Sequence, residues 1–125
     1  MRKYMMSLSL AGVIALTLAA CGGSSTSGPT IITMGTSTFT GSTSLTIHQG
    51  TTVKFADAAS GATHILMMGA NGMYGGMMGA PNMLNSSMGM TISPGQTMMV
   101  TFTTPGTYHI TCSIHPDMNV TITVR

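Results

Sequence analysis

Charge is scarce in this sequence: only six of its 125 side chains are Lys, Arg, Asp or Glu. Six charges cannot build a basic patch, which excludes nucleic acid as a partner. Acid is scarcer still. Asp57 and Asp117 are the only carboxylate side chains, too few for the paired-carboxylate chemistry of many hydrolases. The two cysteines, Cys21 and Cys112, cannot form a disulfide framework. No segment carries a convincing helical stripe. Disorder is excluded from the other side, because the chain is 43% hydrophobic and disordered chains are poor in apolar residues. What it has in excess is glycine, with sixteen, and methionine, with fifteen.

The chain opens Met1-Arg2-Lys3-Tyr4 and then runs apolar from Met5 to Ala20, broken by little more than Ser7, Ser9 and Thr17. A basic start followed by an apolar stretch is the pattern of a secretory signal peptide. Sixteen residues fall short of the roughly twenty that a membrane-spanning helix needs. The stretch ends Leu18-Ala19-Ala20-Cys21. It resembles a bacterial lipobox, in which small residues precede a cysteine that is lipidated and becomes the mature N-terminus. An ordinary signal peptide with a cysteine near its end is the plainer alternative. Residues 1–20 are thus read as a lipoprotein signal peptide and residues 21–29, rich in Gly and Ser, as a lipidated flexible tether. Without the leader, Lys54 and Arg125 balance Asp57 and Asp117, so the formal charge of +2 belongs to the precursor. The expected location is extracytoplasmic, held to the cell membrane of a bacterial envelope by lipid on Cys21.

From Thr30 onward the pattern is β, and residues 30–125 are read as one domain. Thr, Val and Ile are plentiful, and Gln49-Gly50, Ser93-Pro94-Gly95 and Pro105-Gly106 mark turns. Strands are predicted at Thr30–Met34, Ser44–His48, Thr51–Phe55, Ala62–Met67, Met90–Ile92, Thr97–Thr103, Gly106–Cys112 and Asn119–Arg125. Several alternate with period two, as in Val120-Thr121-Ile122-Thr123-Val124. Many short strands with such turns predict an all-β sandwich or small barrel. Residues 67–90 break the pattern, with eight methionines, six glycines and no charge. This segment reads as a low-complexity insertion, too glycine-rich for a strand and too apolar for a solvated loop. Its methionines either fill gaps and form an apolar docking face, or bind Cu(I) through their thioethers.

The C-terminal stretch holds Cys112, His115 and Met118 in a C-x2-H-x2-M arrangement. A thiolate, imidazoles and a weak thioether suit copper that cycles between Cu(I) and Cu(II). His64, from an earlier strand, can supply the second imidazole. His109 alternates out of phase with Tyr108, Ile110 and Cys112 and is predicted to face outward; His48 is expected at a solvent-facing strand end. A Cys21–Cys112 disulfide would forfeit both lipid and copper.

Here the chain resembles the cupredoxins, the blue-copper proteins that include plastocyanin and amicyanin. The likeness runs through Gly50-Thr51-Thr52-Val53-Lys54-Phe55, His64, Pro94-Gly95, Phe102-Thr103-Thr104-Pro105-Gly106-Thr107-Tyr108 and Cys112 to Met118. The short Cys-to-Met spacing is most similar to the amicyanin type. One departure is Ile65, where many cupredoxins carry Asn or Ser to tie the ligand loops together. The resemblance implies a cupredoxin-like Greek-key β-sandwich. It implies one copper per chain, with His64, Cys112 and His115 in a trigonal plane and Met118 as a distant axial ligand. It also implies a monomer that is not an enzyme and carries single electrons between redox protein partners. A copper-binding or delivery protein that uses the Met-rich segment is the alternative. A dinuclear copper site would need a second nearby cysteine, and multicopper oxidases need His-x-His pairs; neither is present.

Overall fold

A computed structural model describes residues 30–125. Residues 1–29, read above as a signal peptide, a lipidated Cys21 and a tether, lie outside the described residues. Ten strands follow in order: β1 (Thr30–Met34), β2 (Phe39–Thr40), β3 (Ser44–Ile47), β4 (Thr51–Asp57), β5 (His64–Ala70), β6 (Met73–Tyr74), β7 (Met90–Ile92), β8 (Thr97–Phe102), β9 (Gly106–Cys112) and β10 (His115–Val124). No helix occurs among the described residues. One sheet runs β2-β1-β4-β8 and the other β3-β10-β9-β5, with β6 and β7 both paired to β5. β1 lies parallel to β4, and β10 parallel to β3; the other pairs are antiparallel. The all-β sandwich expected from the alternation is the architecture found.

The core forms because period-two strands put their apolar residues on one face each. β4 sends Val53, Phe55 and Asp57 inward. β9 contributes Tyr108, Ile110 and Cys112, and β10 contributes Val120, Ile122 and Val124. Phe102 and Tyr108 meet between the sheets with ring centroids 5.4 Å apart and planes tilted by 56°. The Tyr108 hydroxyl donates to the Thr104 carbonyl at 2.5 Å, so the one polar atom of that ring is satisfied. Burying each such aromatic contributes about 1.5–3 kcal/mol.

Several strand boundaries differ from the sequence expectation by one to four residues, and three of the differences bear on the site. β4 continues two residues past Phe55 and so carries Asp57 into the interior. β10 starts at His115, not at Asn119. The 67–90 segment is not strand-free: β5 extends through Met67 and Met68 to Ala70, and β6 follows at once. Asn71-Gly72 makes the two-residue turn between them, with φ of 54° and 76°. Positive φ at both positions marks a type I′ hairpin, and Asn-Gly is the usual pair for it. The rest of the segment is divided. Met67, Met68, Ala80, Leu84 and Met90 are buried, whereas Met73, Met78 and Met88 project into solvent. Packing therefore accounts for only part of the methionine excess.

Candidate metal centre

The donor side chains stand at the ends of core-facing alternations. His64 opens β5, in phase with Leu66 and Met68. Cys112 closes β9, in phase with Tyr108 and Ile110. Strand pairing places Leu66 opposite Cys112, so His64 and Cys112 arrive at the same end of the sheet. Only Ser113 and Ile114 separate β9 from β10, and His115 pairs directly with Cys112. The pairing then slips, and the next partners are Asn119 and Thr111. Pro116 falls within this bulge, where a residue without an N–H is tolerated. His115 and Met118 fall between the strands predicted at Gly106–Cys112 and Asn119–Arg125, but they lie on a bulged part of β10 and not in a loop.

His64 is fully buried. Its Nε2 lies 2.8 Å from the Gly35 carbonyl oxygen. A carbonyl only accepts, so Nε2 carries the proton and the lone pair of the neutral ring sits on Nδ1. That Nδ1 is 3.9 Å from Cys112 Sγ. His115 Nδ1 is 3.6 Å from the same sulfur. The two imidazole centroids are 5.1 Å apart, with planes tilted by 57°. All three donor atoms fall within 4.8 Å of one another. A trigonal ion about 2.0 Å from nitrogen and about 2.3 Å from sulfur separates N and S by roughly 3.7 Å, using the bond lengths typical of first-row ions. The observed separations bracket that value, so the cluster fits a metal of this size. One thiolate and two imidazoles are the donor chemistry of copper. Met118 is buried and belongs to the same core cluster as Cys112.

Backbone groups tie the centre together. The Ile65 N–H donates to Cys112 Sγ at 3.4 Å, and the Ser113 N–H donates to the Ile65 carbonyl at 2.9 Å. The departure at Ile65 therefore leaves the link between the ligand strands intact, because the main chain makes it. Thr111 is buried although its outward phase predicts exposure. The β5–β6 turn covers it: the Gly72 N–H donates to Thr111 Oγ1 at 2.9 Å, and Oγ1 donates to the Met118 carbonyl at 3.1 Å. Asn71 N–H donates to Asn119 Oδ1 at 2.8 Å, and Asn119 Nδ2 donates to the Pro116 carbonyl at 3.0 Å. The hairpin in the methionine-rich segment thus braces the bulge that presents His115 and Met118. Sequence reasoning missed this role, although Asn71-Gly72 is a strong hairpin signal. His48 and His109 stay outside the cluster, as expected; both are exposed, and His109 Nδ1 lies 3.2 Å from Thr121 Oγ1.

Residues 32–125 match a family model described as copper binding proteins of the plastocyanin/azurin family. Solved amicyanins have a similar fold. The Cu(I) form of one amicyanin variant is 23% identical, covers 78% of this chain and 83% of its own, and gives a TM-score of 0.58. Amicyanin from Paracoccus versutus is 16% identical over 79% of this chain and 83% of its own, with a TM-score of 0.58. No curated protein sequence matches the chain significantly.

Proposed function

Because this chain belongs to the plastocyanin/azurin family of copper-binding proteins, we propose that it carries single electrons between redox protein partners through one copper ion. The convergence of His64, Cys112 and His115 on one point carries this reading. Bound copper supplies a one-electron couple, and everything else is done by the protein. Strands β5, β9 and β10 hold the donors in positions acceptable to both oxidation states, so little rearrangement accompanies a transfer. Cys112 and His64 are sealed from water, whereas His115 is half-buried and borders a surface depression with Ile114, Pro116 and Ser37. Electrons enter and leave at this His115 edge. Partners dock there by shape and apolar contact, since so few charges are available for steering. Four donors with Met118 leave no position for a substrate, and the protein is a carrier, not an enzyme.

The test is copper loading followed by optical and EPR spectroscopy and a copper count. One tight copper per chain with an intense thiolate-to-copper band in the red is expected. A weak, purely imidazole-type spectrum would rule the carrier out. The exposed Met73, Met78 and Met88 favour a second reading, Cu(I) delivery through thioethers. Several Cu(I) ions per chain, lost when these three are replaced, would support it.

A lipid on Cys21 anchors the carrier to the outer face of the cell membrane in this reading, with residues 21–29 as its leash; the leader pattern supports it. Cys21→Ser is expected to move the protein from the membrane fraction to the soluble extracytoplasmic fraction. Retention in the membrane fraction would contradict lipidation at this residue.

A further inference from the structure

β4 delivers a carboxylate to the interior on the same face as Val53 and Phe55. The Asp57 side chain is fully buried, and neither of its oxygens has a hydrogen-bond partner among the described residues. Oδ1 lies 3.7 Å from His64 Nε2, the one ion-pair partner within reach of it among the described residues. Lys54 and Arg125 make no ion pair with it. The chain also leaves room for it. A Cβ on Gly61 would collide with Asp57 Oδ1 and come within 3.0 Å of its Cγ. The φ of Gly61 is not in the left-handed region, so glycine is needed there for space and not for conformation.

A buried carboxylate with no partner is expensive, and a structure retains it where something offsets the charge. The metal centre is that offset. The Nε2–H of His64 is donated to the Gly35 carbonyl, and at 3.7 Å Asp57 Oδ1 meets the same ring edge through charge and not through a hydrogen bond. A metal on Nδ1 draws electron density from the ring and strengthens the Nε2–H as a donor. A Cu(II)–thiolate unit also carries one net positive charge, whereas a Cu(I)–thiolate unit is neutral.

We infer that Asp57 is a positioning residue of the copper site: its charge, held beside the Nε2 edge of His64, favours Cu(II) over Cu(I). The inference rests on the copper reading above. The unpartnered carboxylate 3.7 Å from a buried ligand ring is the observation that carries it.

The experiment compares the copper-loaded wild-type protein with Asp57→Asn, which keeps the shape and removes the charge. Asp57→Ala serves as a second variant. Affinities for Cu(II) and Cu(I) are measured by competition with chelators, and the reduction potential by voltammetry. The ratio of Cu(II) to Cu(I) affinity is expected to fall about tenfold, within the range typical of losing an outer-shell partner. For one electron that is a rise in potential of about 59 mV. A wild-type potential in both variants would overturn the assignment. Lower thermal stability with an unchanged potential marks a purely structural role and overturns it as well. If the wild-type protein itself lacks the thiolate-to-copper band, the copper reading fails first, so the two failures are distinguishable.

Discussion

Replacing Cys112 with alanine is expected to abolish the thiolate-to-copper absorption while leaving the apo protein folded. The sulfur sits at the meeting point of the donors, 3.9 Å from His64 Nδ1 and 3.6 Å from His115 Nδ1. Without it, two imidazoles and a thioether remain, and neither the soft anionic donor nor its charge-transfer band survives. Cu(II) affinity should drop by more than the 10–100-fold that follows loss of an outer-shell partner. The packing penalty is small by comparison. One buried sulfur atom leaves a minor void, costing about 1 kcal/mol. The Ile65 N–H loses a weak acceptor at 3.4 Å, and the β5–β9 pairing of Leu66 with Cys112 is unaffected because it is made by backbone. A far-UV spectrum and thermal melt check the fold, and visible absorption checks the site. Persistence of the intense band in the variant would refute the thiolate assignment. Undiminished Cu(I) binding would shift the weight to the exposed methionines.

Gly69→Ala is expected to produce the largest loss of stability. Gly69 has φ of +137°, a conformation side-chain-bearing residues rarely adopt. An added Cβ would collide with the Met73 carbonyl oxygen and lie 2.8 Å from the Gly75 nitrogen. Both obstacles are main chain, so no rotamer change relieves them. The Gly75 N–H also donates to the Met68 carbonyl at 2.9 Å, fixing the hairpin where the clash occurs. Strain of this kind costs about 1–3 kcal/mol, with overpacking adding a similar amount. A change of about 3 kcal/mol lowers the melting temperature of a domain this size by roughly 12–24 °C. Gly50→Ala is the control. Its φ is +87°, but nothing lies within 4 Å of the added Cβ, so it should lose only the conformational part. Because the hairpin braces the His115–Met118 bulge, Gly69→Ala should also broaden the copper EPR signal. Equal melting temperatures for the two variants would show that the steric contact is relieved without consequence.

Legibility in the sequence followed the range of the interactions. Strands whose residues alternate in isolation, such as Gly106–Cys112 and Met90–Ile92, are found where the pattern places them. The strand predicted at Thr51–Phe55 ends two residues before β4 does, because Asp57 is not apolar and does not extend the apolar alternation. The period-two phase through Val53 and Phe55 points at Asp57 all the same. In the 67–90 segment, composition masked local structure. Eight methionines and six glycines suggested low complexity, while the Asn71-Gly72 hairpin signal lay inside it unread. β2, only two residues long, carries no periodicity from which it could have been read.

The sequence by itself determined the all-β class and the donor types at the C-terminal cluster. Cys112, His115 and Met118 are close in the chain, and their spacing is a local property. It also determined which way His109 faces, since period two decides that without tertiary information. Only the tertiary structure decided how His64 meets Cys112, because their approach depends on the β5–β9 register, a pairing across 48 residues. Only it decided that Thr111 is covered, that the hairpin supports the metal-binding bulge, and that Asp57 is left without a hydrogen-bond partner beside a ligand ring. Each of these is fixed by which side chains share a volume. Alternation assigns a residue to a face, but the partner it meets there is set by how two sheets stack and where a strand slips.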